Sequence, residues 1–183
     1  MNARGSGAPI TIVGAGPVGT LLAILLARAG RRVRLLERRS DPRLAELERG
    51  RSINLALAAR GLTALERAGV LGRIRRELVP MRGRQLHDLH GAGPLLPYGQ
   101  HDGEAVHAIG RARLNNALLS AAAELPAIEL RFGARAVDVD PESARLQWRA
   151  DTAGAATAPW TEAAGLLIAA DGAGSAVRRD QEA

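Results

Sequence analysis

The sequence contains no cysteine, which excludes disulfides and thiolate metal sites, and its four histidines lack zinc-like spacing, which argues against a structural metal. A reducing cytoplasm is the default compartment for such a chain. Lysine is missing too: all 25 basic residues are arginine, set against 19 acids for a formal net charge of +6. Aromatic residues are 2% of the chain, with Trp148, Trp160, Tyr98 and Phe132 the whole inventory. That scarcity leaves no platform for stacking bases, and the arginines are scattered, often beside acids as in Glu37-Arg38-Arg39. Nucleic acid is therefore disfavoured as a partner, and the arginine excess reads as a compositional bias on a solvated surface. An uninterrupted apolar run is also absent. Ala8 to Ala27 carries no charge and Ala27-Arg28-Ala29 has the form of a secretory cleavage site, but three glycines and Pro17 break the run in its middle, against a membrane span or leader. At 183 residues and 46% hydrophobic content, the chain is long enough to bury a core, as one domain or one domain with part of another.

What is present centres on residues 10–37. The β-branched run Ile10 to Val13 leads directly into Gly14, Gly16 and Gly19, and a long apolar segment ending near Gly30 follows. This predicts strand, turn and helix. Gly14 permits the tight reversal, Gly16 lets backbone approach a pyrophosphate, and Gly19 lets the helix lie close on the sheet. The helix would aim its free N–H groups and positive dipole end at phosphates. A second strand, Val33 to Leu36, ends in Glu37, where an acid about 20 residues beyond the glycines takes the ribose hydroxyls of a dinucleotide and disfavours a 2′-phosphate.

Residues 1–9 show no periodicity. Arg38 to Gly50 reads as a surface loop with a short helix, and Gly50 to Leu57 as an apolar patch interrupted by polar groups. A helix from Ala59 stops at Gly69, a second spans Leu71 to Leu78, and Pro80 to His87 reads as a strand. A turn at 91–94, an antiparallel partner at Leu95 to Tyr98 and a short strand at Ala105 to Ile109 follow. A helix over Arg113 to Glu124 ends before Pro126. Strands are expected at Ile128 to Phe132, Arg135 to Val139 and Leu146 to Trp148, the last two forming an antiparallel pair with its turn at Asp140-Pro141-Glu142. Asp151 to Pro159 reads as a loop, and Leu166 to Ala170 as a buried apolar strand. A second glycine motif follows it, Asp171-Gly172-Ala173-Gly174-Ser175-Ala176-Val177-Arg178.

With both glycine motifs in the right order, the chain resembles the class A flavoprotein monooxygenases, the aromatic-ring hydroxylases that use a single FAD. Within them it resembles the kynurenine 3-monooxygenase family. That likeness is carried by Gly50-Arg51-Ser52-Ile53-Asn54-Leu55-Ala56-Leu57 with Arg60-Gly61, by Pro80-Met81-Arg82-Gly83-Arg84 with His87, by Pro97-Tyr98-Gly99, and by Arg111 with Leu114-Asn115. Ala58 departs from the family's usual serine. The family's third fingerprint, a Gly-Asp motif, is absent, so the chain is expected to be an N-terminal portion. The fold implied is α/β: a Rossmann-like FAD-binding domain of the aromatic-hydroxylase type with a small antiparallel sheet insertion, truncated. Its incomplete FAD-binding domain would lie at about 1–79 and 105–183, with the start of the substrate-binding sheet at about 80–104.

The resemblance also implies roles. Val18 and Glu37, Arg38 and Arg39 would hold the adenosine end of FAD with Leu36 lining the site, and Ala56, Arg111, Ala136 and Ala176 would line the rest of the groove, beside Gly14, Gly16 and Gly19. Arg111 suits a phosphate partner, against the plainer reading of a surface arginine. Asp171 would orient its own turn near the flavin and NADPH phosphates. Arg84 and Tyr98 would clamp a substrate carboxylate, against a solvated arginine and a tyrosine capping the core. The histidines at 87, 90, 101 and 107 read as structural or exposed. The activity implied is hydroxylation of L-kynurenine to 3-hydroxykynurenine with NADPH and O2, in tryptophan degradation. The flavin carries the chemistry and no catalytic side chain is sought. Another aromatic hydroxylase, or a non-catalytic nucleotide-binding fragment, remain as alternatives, and a homodimer of the full-length enzyme stays open. With neighbouring strands missing, the chain is expected to aggregate or to depend on a partner.

Overall fold

The structure is a computed structural model that describes residues 8–44, 53–89, 91–101, 104–140, 145–152, 155–156, 159–175 and 177–178. Two compact units are present, one comprising Met1–Glu48 with Leu118–Ala183, the other Arg49–Ala117.

The first unit is built on a four-stranded parallel sheet. Strand β1 (Ile10–Val13) runs into helix α1 (Pro17–Arg28), which returns the chain to strand β2 (Val33–Glu37). Pro17 opens the helix, where its missing N–H costs nothing, and Gly19, Thr20, Ala23 and Ile24 form the stripe that α1 buries. Val33, Leu35 and Leu36 are buried in β2, the near-continuous apolar run of a parallel strand covered on both faces.

After β2 the chain enters the second unit. That unit holds β3 (Asn54–Leu57), α2 (Ala59–Arg67), α3 (Leu71–Ile74), β4 (Val79–Met81), β5 (Gly83–Asp88), β6 (Gly91–Pro97), β7 (Val106–Gly110) and the start of α4 (Arg111–Ala123). The chain returns to the first unit with β8 (Ile128–Phe132), β9 (Ala134–Asp140), β10 (Arg145–Thr152), β11 (Ala155–Ala156), β12 (Trp160–Ala163) and β13 (Leu166–Ala169).

The parallel sheet has the order β13-β1-β2-β8. A second sheet sets β9 and β12 antiparallel to β10, and β11 folds back on the end of β10. Val13, Leu36, Ala134, Val139, Leu146, Trp148 and Val177 form one buried cluster between these elements. Glu129 of β8 accepts from Arg34 at 2.8 Å and from Arg131 at 2.6 Å. Arg131 in turn lies 5.1 Å from the Trp148 ring, which stacks obliquely on Trp160 at 4.7 Å. Partial burial pushes the Glu129 carboxyl up, but the hydrogen bonds from the two arginines outweigh it and hold the group below its ordinary range.

In the second unit β7 lies between β3 and β4, both antiparallel to it, and β5 pairs with β6 as a hairpin. Helix α2 stops at Gly69 as expected: its φ is +65°, Gly69 N–H donates to Glu66 and Val70 N–H to Leu65, and Val70 is buried.

Several local expectations are corrected. The strand expected over 80–87 is two strands serving two sheets: β4 pairs with β7, and the chain switches at Arg82 so that β5 pairs with β6. Pro80 fits because β4 is an edge strand, where a missing N–H breaks no ladder. The turn expected at 91–94 belongs to β6. The reversal comes before it, because Asp88 already pairs with Gly91. Leu71 to Leu78 tightens from α-helix to a 3-10 turn at Arg75–Glu77. The loop expected over 151–159 contains the end of β10 and β11, and β12 follows it. Strand β13 is apolar but not buried: at the edge of the described sheet, Leu166 is 53% exposed. Among the described residues, no helix is long and apolar enough to cross a membrane, and no group of three His, Cys, Asp or Glu could hold a metal.

Candidate dinucleotide-binding site

The carboxyl ends of β2, β1 and β13 lie side by side, and both glycine motifs leave from them. Gly14 N–H donates to Leu36 O at 2.8 Å, and Ala170 N–H donates to Val13 O at 2.7 Å, so the three strand ends are joined through backbone. The carboxyl end of a parallel sheet is where open α/β folds bind ligands. Gly14 has φ +104°, and a Cβ there would stand 2.5 Å from Ala170 O and 2.8 Å from Asp171 Cα. The first turn is thus packed directly on the second. A Cβ on Gly19 would be driven into the Gly14 carbonyl oxygen. Gly16 differs: among the described residues a Cβ there would meet nothing within 4 Å, and the same holds at Gly172 and Gly174. Among the described residues, nothing packs against the space a side chain would take at those glycines.

Glu37 closes the other side of the first turn. One carboxylate oxygen accepts the Ala15 N–H at 3.0 Å and the other accepts the Arg39 N–H at 3.0 Å. An ionised carboxylate has further lone pairs, so two ribose hydroxyls remain within its capacity. Arg38 and Arg39 are exposed just beyond it, and Gly133 N–H ties down the Arg39 carbonyl at 3.0 Å. Val18, in the first turn of α1, is 73% exposed. Leu36 presents no side chain here, because it is fully buried in the core; only its carbonyl reaches the turn, where Gly14 already uses it. Ala136 is half-buried in β9 against that core.

The second turn has two supports that motif reading assigned no role. Ser175 is buried, its N–H donates to Gly172 O at 3.1 Å, and its Oγ accepts the Arg178 N–H at 3.0 Å. The Arg178 guanidinium donates to Ala173 O at 2.9 Å. A serine whose hydroxyl caps the N–H three residues on was the legible signal. Asp171 is half-buried at the start of this turn. Ala176 lies outside the described residues, as do His90, Arg51 and Ser52.

In the second unit, Ala56 is exposed on β3, and Arg111 is the exposed first residue of α4, its N–H donating to Ile53 O at 2.9 Å. Arg84 lies opposite Leu96, and Tyr98 N–H extends the ladder by donating to Arg82 O at 2.9 Å. With the alternation of a strand, this register puts Arg82, Arg84, Leu96 and Tyr98 on one face, Arg84 and Tyr98 as diagonal neighbours. Both are exposed.

A family model for an FAD binding domain matches residues 7–183. The chain belongs to the FAD-binding domain family. Curated relatives of this FAD-binding domain include kynurenine 3-monooxygenase of Myxococcus xanthus (strain DK1622), 41% identical over 94% of this chain and 37% of the relative. That of Stenotrophomonas maltophilia (strain K279a) is 45% identical over 92% of this chain and 36% of the relative. The chain therefore spans a little over a third of the length of the curated relatives it matches. Among solved structures, the tetrameric form of 2-methyl-3-hydroxypyridine-5-carboxylic acid oxygenase superposes with a TM-score of 0.76 at 25% identity, over 97% of this chain and 43% of that one. p-Nitrophenol 4-monooxygenase PnpA from Pseudomonas putida DLL-E4 has a TM-score of 0.76 at 24% identity, over 95% of this chain and 43% of that one, a likeness of fold. The residues of the FAD-binding domain fit its cofactor on structural grounds. Gly16, Gly172 and Gly174 leave backbone uncovered beside two abutting turns, and Glu37 supplies the acceptor beside them.

Proposed function

We propose that this FAD-binding domain is the flavin-holding part of a kynurenine 3-monooxygenase, which hydroxylates L-kynurenine to 3-hydroxykynurenine with NADPH and O2. The observation that carries the cofactor reading is the abutment of Gly14 on Ala170 and Asp171, which gathers both glycine turns at one sheet end. The substrate reading is supported by 41–45% identity to kynurenine 3-monooxygenases and by the shared face of Arg84 and Tyr98.

When bound, FAD supplies the redox chemistry, accepting reducing equivalents from NADPH and activating oxygen for transfer to the aromatic ring. The chain's own residues bind and orient. The open backbone of Gly16 receives the pyrophosphate at the N-terminus of α1. Glu37 takes the ribose hydroxyls, flanked by Arg38 and Arg39, and Val18 offers an apolar contact. Asp171 shapes the second turn, with Ala136, Ala176 and Ala56 leaving room for the flavin and Arg111 meeting a phosphate. Arg84 takes the substrate carboxylate with its planar fork while the Tyr98 phenol donates a further bond. The domain division proposed is a flavin part at about 1–79 and 105–183 with a substrate sheet at about 80–104, working in a reducing cytoplasm.

Because the chain spans about a third of its relatives, the 183 residues alone are expected to hold FAD weakly and to turn over no kynurenine. The decisive experiment grafts this chain in place of the matching region of the Myxococcus xanthus relative. The chimera should retain FAD and oxidise NADPH in response to L-kynurenine, and Arg84→Ala should raise the KM for kynurenine while sparing FAD. A flavin-loaded chimera indifferent to kynurenine would refute the substrate reading, and a folded chimera without flavin would refute the cofactor reading.

A further inference from the structure

The described segment after β2 carries Arg38 and Arg39 and continues to Leu44. Its path is set by side chains that neither glycine motif includes. Asp41 Oδ1 accepts the Arg43 backbone N–H at 3.0 Å, an Asx turn across Pro42. The same carboxylate takes the Arg43 guanidinium side-on, with Nε 2.9 Å from Oδ1 and Nη2 2.5 Å from Oδ2. The remaining arm, Nη1, donates to the Leu119 carbonyl of α4 at 3.1 Å, and the guanidinium carbon lies 5.8 Å from the Phe132 ring centroid at the end of β8. The Asp41 side chain is 11% exposed and that of Arg43 25%, so this is a partly buried, bidentate pair of fixed geometry.

Upstream, the Arg39 carbonyl is held by Gly133 N–H, and the Arg39 N–H donates to Glu37, whose other oxygen holds the Ala15 N–H. One chain of contacts thus runs from the Asp41–Arg43 pair along the segment to Glu37 and the first glycine turn.

We propose that Arg43, locked by Asp41, is a positioning residue for the adenosine end of the cofactor: it pins residues 38–44 to α4 and β8 and so aims the Glu37 carboxylate. The inference rests on the FAD reading and extends it to a residue pair with no motif assignment. Arg43 touches no cofactor in this scheme. Its charge is already matched by Asp41, so it acts by geometry and not by attracting phosphate.

The test titrates ADP, which carries the adenosine and pyrophosphate without the flavin ring, into four purified forms of the chimera with the Myxococcus xanthus relative, stripped of flavin: parent, Arg43→Met, Glu37→Gln and the double variant. Circular dichroism and thermal midpoints establish that each is folded. Arg43→Met should weaken ADP binding about tenfold, Glu37→Gln by at least as much, and the double variant no more than Glu37→Gln alone, since Arg43 works through Glu37. Arg43→Lys, which keeps the charge and loses the fork, should recover only part of the loss. Should Arg43→Met not fold, Asp41→Asn keeps the Asx acceptor, removes the lock and carries the same expectation. If Glu37→Gln weakens binding and Arg43→Met does not, or if the two losses add, the positioning role is wrong and the FAD reading stands. If the parent fails to bind ADP, or Glu37→Gln has no effect, the FAD reading fails and this inference falls with it.

Discussion

Two alanine substitutions two residues apart should do opposite things. At Gly14, φ of +104° is strained for any L-residue, and the new Cβ would stand 2.5 Å from Ala170 O, 2.7 Å from Ala170 C and 2.8 Å from Asp171 Cα. All three are backbone atoms, so no side chain can swing aside; relief requires the two turns to part. The backbone conformation costs about 1–3 kcal/mol and the overpacking about 1–3 kcal/mol more. Their sum, roughly 2–6 kcal/mol, is a large share of the roughly 5–15 kcal/mol that holds a domain folded. At Gly16 the backbone is extended, φ −72° and ψ 177°, and a Cβ would meet nothing within 4 Å. Gly16→Ala should therefore cost the fold at most about 1 kcal/mol, the difference between glycine and alanine at a helix N-cap. Under the proposed FAD reading it would put a methyl group in the path of the pyrophosphate, lowering FAD affinity at least about tenfold, or about 1.4 kcal/mol. Urea unfolding followed by circular dichroism measures the first effect, and quenching of FAD fluorescence in the Myxococcus xanthus chimera the second. Gly14→Ala as stable as the parent, or Gly16→Ala binding FAD like the parent, would refute the assignment of packing to one glycine and ligand approach to the other.

Acid should destabilise the fold with a defined sign: Asp41 is held below its ordinary value by the Arg43 hydrogen bond, and Glu129 by Arg34 and Arg131 despite its burial. Their contribution is complete above the ordinary values of 3.8 and 4.5 and is lost as pH falls through the lower folded values, so urea midpoints should drop between about pH 5 and pH 2, less steeply in Asp41→Asn. Trp148→Ala removes the largest side chain of the core cluster together with its contacts to Trp160 and Arg131, and should cost about 3–5 kcal/mol by the same unfolding assay. Leu166→Arg, on the exposed edge strand, should leave stability nearly unchanged while raising solubility by light scattering, if apolar exposure there drives association.

How much of this could be read from the residues depended on whether the signal was local. The β1–α1–β2 unit was legible because each boundary has its own chemistry: β-branched strand, three glycines, Pro17 at the first helical position and an acid at the end of β2. Helix α2 was legible through its apolar face and Gly69. What was missed depended on partners distant in sequence. Gly91 to Pro94 has the composition of a turn, yet pairing with β5 keeps it extended. Trp160–Ala163 had no strand pattern of its own and becomes a strand because β10 offers it a ladder. The apolar run Leu166–Ala169 suggested burial, but composition reports what a strand can tolerate, not what covers it. The contact of Glu37 with the first glycine turn agrees with its spacing to the glycines. The Leu36 side chain is buried in the core while its carbonyl meets the first turn, and the supports from Ser175, Arg178, Asp41 and Arg43 emerge only once the turns have shape.

The separation of the two glycine motifs along the chain conceals how far each specifies the other. Gly14 is confined to glycine by its own φ, and it is confined a second time by Ala170 and Asp171, which belong to the other motif. Gly19 is excluded from bearing a side chain by the Gly14 carbonyl, and next by the Ala170 Cβ at 3.2 Å. The parallel pairing of β1 with β13, Val13 beside Ala169, brings these positions together. The first motif therefore encodes more than a phosphate turn. Two of its three glycines are shaped by packing at the place where the second turn docks, and Gly16 is not. A chain carrying only the first motif would need glycine at Gly14 for its dihedral angle but would lose that second constraint. The two-motif arrangement is thus a physical statement about neighbouring strands, made before any cofactor is bound.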